Sequence, residues 1–509
     1  MRECFPFLNK CHYKYRWGVL GFCIWLVLGA FYCFDIPTSL HNTLQTHFSD
    51  IMTAEAFELY YGGLYSLYSF ANIFLPFISG KIRDQKGDRI VLILMVVLVM
   101  IGQLIFVYGV HLKSFMIMYL GRIISGWGIE SVVPTQTSFI SPYFKDDYLG
   151  FAVGLNEFFA TLGSILTMYL CPKLALEYGL LVAVSSGIFF NSFSLICGII
   201  TVILDKHAEK HLLDQVNYDQ VKYSVLRSSE NRSPRQSGAN KKLGINNDKD
   251  NNNDQNIQGN IIEVDENQLI NQNGVDGQII SQPDVIQAVE MFPKIFWFVS
   301  WCYALIYSSV LGFINISVGL LSERWFGVTE ESEIEAGFVV SIMWFITGLF
   351  TPLFGSYTDK YGQRSLLLVF ASLLCTFSHL MIWYVFPFLS LILLGTSLAL
   401  AFASAWTGIV FLVRPDTLGK AYALVIAVYN FTFTLVPLAV GALRAYYGTY
   451  FYSQIMLSIL GAIAFILSIF IYQLDKNQEN ILDGNGQYAI SATSLEKNFP
   501  NENAHLKED

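Results

Sequence analysis

The chain has 509 residues, 53% of them hydrophobic and 14% charged, with a mean hydropathy of +0.45 and a formal charge of −9. Soluble domains carry roughly 25% charged residues, so this chain has too little polar surface to coat a globule in water. Much of the charge sits in one central segment and the C-terminal tail, so the acidic balance implies no nucleic-acid partner. No nucleophile–base set, phosphate loop, Cys-x-x-Cys pair or His cluster at ligand spacing occurs, which argues against an enzyme, a metal site, a cofactor or a disulfide framework.

Residues 1–16 are basic, with Arg2, Lys10, Lys14 and Arg16, and are expected to be a cytosolic N-terminus. The apolar run that follows is long enough to span a bilayer and is read as a first span rather than a cleaved leader. A hydrocarbon core of ~30 Å needs about 20 apolar helical residues. Runs of that kind cover 17–36, 57–80, 90–110, 115–141, 148–171 and 180–204, then 295–321, 335–357, 365–386, 388–413, 419–445 and 451–472. The expected fold is therefore all-α: twelve transmembrane helices in two six-helix halves, 17–204 and 291–474.

Residues 205–290 separate the halves, and 246–273 is rich in Asn, Asp, Gln and Gly without apolar periodicity. Such a stretch buries too little surface to offset its ordering entropy, so 205–290 is expected to be a disordered cytosolic linker. Two loose tyrosine-based sorting patterns fall within it, Tyr218-Asp-Gln-Val221 and Tyr223-Ser-Val-Leu226. The tail, 475–509, is expected to be disordered too. Loop Lys and Arg residues number thirteen on one side, among them Lys81, Arg83, Lys86, Arg89, Lys145, Lys360 and Arg414, against Lys113, Lys173, Arg324 and Arg444 on the other. This asymmetry predicts that both termini are cytosolic.

A repeat joins the halves. Gly80-Lys-Ile-Arg-Asp84-Gln-Lys-Gly87-Asp-Arg89 follows the second run, and Gly355-Ser-Tyr-Thr-Asp359-Lys-Tyr-Gly362-Gln-Arg364 follows the eighth. The first glycine would let a helix approach its neighbour closely, and the second permits a tight turn. The Asp and Arg can pair with each other, with helix ends or with charges on another span. With Arg122-Ile-Ile-Ser-Gly126-Trp-Gly128 in the fourth run, these loops resemble those of the major facilitator superfamily. That likeness implies a carrier working by alternating access around a mid-membrane site. Arg122 is either a structural or a functional cation, because a buried Arg needs a partner or a cavity.

Further segments resemble a lysosomal dipeptide-transporter branch of that superfamily: Phe31-Tyr-Cys-Phe-Asp35-Ile-Pro37, Gly128-Ile-Glu130-Ser131 and Val413-Arg-Pro415. The resemblance implies export of dipeptides from a lysosomal lumen. It also implies a glycosylated single-pass accessory subunit, in keeping with the lack of an Asn-x-Ser/Thr sequon in any lumenal loop. The transport unit is expected to be monomeric. Glu130 matches the branch's glutamate and could hold a substrate amine, or pair with Arg122. Glu157 in the fifth run, beside Asn156, could bind a second cation, carry a proton or simply pack. Animal relatives carry an arginine before Gly-Ser in this run where the chain has Thr161, which puts recognition of a peptide carboxylate in doubt and favours cationic amino acids or amines. Tyr65, Tyr68, Asn72, Tyr303, Tyr307, Trp406 and Asn430 are candidate cavity residues, each with an apolar face or a polar tip suited to variable substrates. Asp35 is expected near the lumenal end as a helix-end or gate residue. An organic-anion or monocarboxylate carrier, and a membrane sensor or scaffold that transports nothing, remain open alternatives.

Overall fold

The computed structural model describes residues 9–144, 149–230, 292–327, 329–414 and 417–483. Every regular element among them is helical. The first span is Asn9–Cys23 continued by Leu26–Ser39, and the short helix His41–Phe48 follows. The second is Ala54–Asn72 continued by Leu75–Lys86; the third to sixth are Asp88–His111, Phe115–Phe144, Leu149–Tyr178 and Leu180–Glu230. In the second half the seventh to ninth spans are Lys294–Leu321, Glu330–Tyr361 and Arg364–Met381. The tenth is Pro387–Ala401, a π-helical turn Phe402–Trp406 and Thr407–Leu412; Leu418–Tyr447 and Phe451–Asn477 complete the twelve.

Among the described residues, ten helices are long and apolar enough to cross a membrane by length and composition; the second and fourth spans are not among them. Both place polar side chains inside, including Ser66, Ser69, Asn72, Arg122, Ser131 and Gln136. The outer surface is the reverse of a soluble protein's, with Phe189, Met116 and Ile466 each about 70% exposed on the lipid side. Breaks in the helices have local remedies. At the interruption of the first span Ser194 Oγ accepts from Gly29 N (3.0 Å) and donates to the Trp25 carbonyl (2.7 Å), replacing the missing backbone bond between them.

The described residues up to 211 and from 292 onward form one compact unit. Within it the halves meet along two long contacts, the fifth span on the eighth and the second on the eleventh. Proline sets one of them. Pro172 has no N–H, so the carbonyl of Met168 one turn earlier lacks its helical donor, and it lies where a Cβ on Gly337 would be only 2.2 Å away. Glycine is required there for the two backbones to touch.

Two sequence expectations change. Residues 205–230 are helical and continue the sixth span rather than forming linker, while 231–290, with the Asn-rich stretch, lies outside the described residues. Asp205 is already 6% exposed and ion-paired, so the helix has tertiary support past Leu204. Residues 475–483 are also ordered: Asp475 accepts from Leu482 N (3.0 Å), and the turn Ile481–Asp483 packs on the ninth span. The tail from 484 lies outside the described residues, as does the N-terminus before residue 9. The tyrosine patterns at 218–226 have helical backbone, but their side chains are not described.

At the face opposite the termini the halves are fastened together. Glu333, at the start of the eighth span, accepts from Asn42 N (2.6 Å), Thr43 N (3.1 Å) and Thr43 Oγ1. It thereby caps the free amides at the start of helix His41–Phe48, which belongs to the other half. Beside it, Tyr450 donates to Glu58 (2.9 Å) and lies 3.3 Å from His41 Nε2, while Tyr61 donates to the Asn315 carbonyl (3.0 Å).

Candidate functional site

Between the halves lies a cavity with about 840 Å³ of empty space, mouth included. Aromatic rings dominate its wall: Phe31, Phe34 and Tyr68 from the first half, and Tyr303, Tyr307, Trp344, Phe402, Trp406 and Tyr429 from the second. Two carboxylates face in, Glu130 and Glu157, and among the described residues no Lys, Arg or His lines it.

Glu130 is held by both halves. Tyr68 of the second span donates to its Oε1 at 2.9 Å, and Tyr429 of the eleventh donates to its Oε2. Pro134, one turn on in the same helix, cannot donate to the Glu130 carbonyl, so the fourth span is locally loosened where its carboxylate enters the cavity. Glu157, which the fifth span contributes to the same wall, has no hydrogen-bond or ion-pair partner among the described residues. Phe402 and Trp406 share one cavity wall because they open and close the π-helical turn of the tenth span, a wide turn often found at functional sites.

Arg122 does not reach this space. It is 2% exposed, and its Nη1 donates to the carbonyls of Cys33 (3.3 Å) and Phe34 (3.1 Å). Pro37 explains the first acceptor, since its missing N–H leaves the Cys33 carbonyl without a helical donor. The guanidinium packs against the rings of Phe34, Tyr65 and Tyr68 at 5.2, 4.9 and 5.1 Å. Phe34 and Tyr68 stand between it and the cavity, so Glu130 answers to tyrosine hydroxyls and not to Arg122.

Of the candidate residues named from the sequence, Tyr68, Glu130, Glu157, Tyr303, Tyr307 and Trp406 come together in the wall. Tyr65, Asn72, Asn156 and Asn430 do not line it. Tyr65 is fully buried and shares a 2.6 Å hydrogen bond with Thr38; Asn72 and Asn430 donate to the carbonyls one turn earlier, Tyr68 and Ile426, and the Asn430 amide also stands beside the Glu130 carboxylate. Asn156 is buried with neither amide atom bonded. Asp35 is not at a helix end: it is fully buried inside Leu26–Ser39, and neither carboxylate oxygen has a hydrogen-bond partner. Sequence reasoning missed Tyr429, Trp344, Thr347 and Thr351, all in the wall. Tyr429 had a signal in its neighbour Asn430; the others read as ordinary span residues.

The signature loops divide by residue. Gly87 and Gly362 adopt φ of +82° and +68°, the left-handed region that a tight turn asks of glycine. Gly80 and Gly355 make no close approach in this conformation, for a Cβ at either would meet nothing within 4 Å. The side chain of Asp84 lies outside those described. Arg89 pairs with Asp205 and, at 2.6 Å, with Glu209 of the sixth helix. Arg364 lies 3.4 Å from Asp359, and its Nη1 donates to the Leu482 carbonyl at 3.3 Å. Asp205 and Glu209 belong to a second repeat, Leu204-Asp205-Lys-His-Ala-Glu209 inside the sixth helix and Leu474-Asp475-Lys-Asn-Gln-Glu479 at the end of the twelfth.

The Major Facilitator Superfamily family model matches residues 18–319 and 296–496, covering both halves. The chain belongs to the Major Facilitator Superfamily. Similar curated proteins are the lysosomal dipeptide transporters MFSD1 of Danio rerio, 24% identical over 94% of this chain and 91% of that one, and of Mus musculus, 25% identical over 89% and 86%. The human protein of that name is 23% identical over 89% of this chain and 86% of its own. Among solved structures, the D-xylose-proton symporter superposes with a TM-score of 0.57 at 14% identity, covering 90% of this chain and 97% of that one. The nucleoside transporter NupG gives 0.57 at 13%, covering 89% and 100%. The superfamily fold accounts for the twelve spans and the paired loops. The protein is a multi-pass membrane carrier of a small solute, not an enzyme.

Proposed function

We propose that this carrier moves dipeptides or cationic amino acids from the lumen of a lysosome-type compartment to the cytosol by alternating access. The observation that carries the reading is Glu130, one carboxylate bonded to Tyr68 of the first half and Tyr429 of the second. A substrate ammonium offers it a charge-assisted hydrogen bond and so competes with the bonds that tie the halves together. Binding energy is then spent on the contact that a rocking movement has to change. Trp344 adds a donor: its indole N–H is buried in the cavity wall without a partner and suits an amide carbonyl. That the similar proteins are named lysosomal dipeptide transporters supports the transporter function and motivates this choice of substrate class and compartment. With both termini cytosolic, one chain suffices for transport, and a glycosylated single-pass partner shields the lumenal face.

An organic-anion carrier fits less well, because its cavity needs a cation and Arg122 is walled off by Phe34 and Tyr68. The test is uptake of labelled dipeptides into proteoliposomes. Glu130→Gln should abolish uptake while the purified variant keeps its elution profile and melting temperature. Normal transport by that variant removes the assignment. In cells, replacing residues 231–285 with a short flexible linker should leave flux intact; loss of phenotype with flux retained would favour a scaffold.

A further inference from the structure

The hydroxyls of the cavity wall carry information that the carboxylates alone do not. Thr161 Oγ1 donates its one proton to the Phe158 carbonyl at 2.9 Å. Thr347 donates to the carbonyls of Met343 (2.9 Å) and Gly395 (3.1 Å), and Thr351 to that of Thr347 (2.7 Å). A hydroxyl has one proton and two lone pairs, so all three present only acceptor capacity to the cavity. Tyr68 and Tyr429 have likewise committed their protons to Glu130. What remains on the donor side is neutral: the Trp344 indole N–H and the Tyr303 and Tyr307 hydroxyls, for which no partner occurs among the described residues.

The wall therefore pairs two carboxylates and three acceptor-only hydroxyls with no cation, inside a ring of aromatic faces. Glu157 is the unanswered group. A carboxylate in such surroundings stays ionised only beside a counter-charge, and the described residues provide none, so a bound cation is what would hold Glu157 in its charged form. Aromatic faces attract cations through their quadrupoles, which strengthens the same preference.

We propose that the cavity is a site for solutes with two positive centres, one held at Glu130 and the other at Glu157, and that a substrate carboxylate is not read. This rests on the carrier reading above and narrows its substrate class to dications: basic dipeptides and their carboxyl-blocked forms, or a diamine. A solute with one cation satisfies Glu130 and leaves Glu157 bare. A free carboxylate meets only neutral donors, which serve an amide or ester carbonyl equally well.

The test uses the full chain in proteoliposomes with three labelled probes: glycyl-lysine, glycyl-lysine amide and glycyl-glycine amide. Wild-type protein should take up glycyl-lysine amide at least as fast as the free acid, and about tenfold more efficiently than glycyl-glycine amide, the ratio expected for one charge-assisted contact. Glu157→Gln should bring the two amides to equal efficiency by lowering only the lysine probe, and Glu157→Asp should retain part of the preference. A wild-type requirement for the free carboxylate overturns the proposal without any variant. So does a Glu157→Gln protein that keeps the tenfold preference, or one that loses only the pH dependence of uptake, which would make Glu157 a proton carrier. Normal uptake by Glu130→Gln would instead strike the carrier-site reading itself, whatever Glu157 does.

Discussion

The fastening at the face opposite the termini can be weakened at one atom. Glu333 is 1% exposed and takes three hydrogen bonds from the first turn of helix His41–Phe48. Glu333→Gln keeps an oxygen for the two backbone amides, removes the charge that strengthens them, and turns an NH2 group toward the Thr43 hydroxyl. Hydrogen bonds to a charged group contribute about 1.5–3 kcal/mol each, and neutral ones about 0.5–1.5 kcal/mol. The Thr43 hydroxyl can turn to accept from that NH2, so three bonds weaken by about 1 kcal/mol each, offset in part by the smaller desolvation cost of a neutral amide, which leaves roughly 1.5–3 kcal/mol against this closed arrangement. Opening that face separates Glu333 from the helix in any case, so the open state escapes most of the loss. The closed-to-open ratio should therefore fall roughly ten- to hundredfold. Spin labels at Glu55→Cys and Glu331→Cys, both exposed and on different halves, would report the distance across this face by pulsed electron resonance. The expected result is a longer-distance population that grows in Glu333→Gln. An unchanged distribution would refute the idea that this cap fastens the halves.

Three other outcomes are expected. His41 faces Glu58 at 3.4 Å, the rings of Tyr61 and Tyr450, and the nearby Glu333, with Arg444 stacked on Tyr450. Burial pulls its imidazole down, but the neighbouring Glu58 carboxylate prevails and holds it above the usual 6.5. Its stabilisation of the closed face is thus complete below pH 6.5 and is lost as pH rises through the higher folded value, so the label distances should lengthen with pH in wild type and not in His41→Gln. Gly337→Ala would set a Cβ 2.2 Å from the Met168 carbonyl oxygen; overpacking of this kind costs about 1–3 kcal/mol, and an unaltered melting temperature would count against the close approach of the fifth and eighth spans. Ending the chain at residue 480 deprives Arg364 of the Leu482 carbonyl and its backbone N–H of Asp483. That loss should lower thermal stability by about 1–3 kcal/mol, read by thermal unfolding in detergent, with Asp483→Ala in the full chain accounting for part of it.

Hydrophobic length alone located nearly every span, because a bilayer leaves an apolar run no structure but a helix. The duplicated Gly-x-x-x-Asp-x-x-Gly-x-Arg loops fixed the two-half plan, and their second glycines turn as the pattern requires. Intramembrane acids are costly enough to stand out, which is why Glu130 and Glu157 were legible one by one. Which groups answer them was not legible. Tyr429 lies 299 residues from Glu130, and Arg122, only eight residues away, is turned instead to the Cys33 carbonyl freed by Pro37 and to the Phe34 carbonyl beside it. Whether Thr161, Thr347 and Thr351 are donors or acceptors depends on which carbonyl takes each proton, and that is a property of packed helices. The same holds for the face opposite the termini, where His41, Glu58, Glu333 and Tyr450 drew no notice because each lies at the edge of an apolar run. Composition and periodicity determined that this is a membrane protein of two helical halves with acids in its interior, and the signature loops added the resemblance to a carrier family. Only the tertiary structure decided which charges face the solute and which hold the halves together, because both depend on contacts between residues hundreds of positions apart.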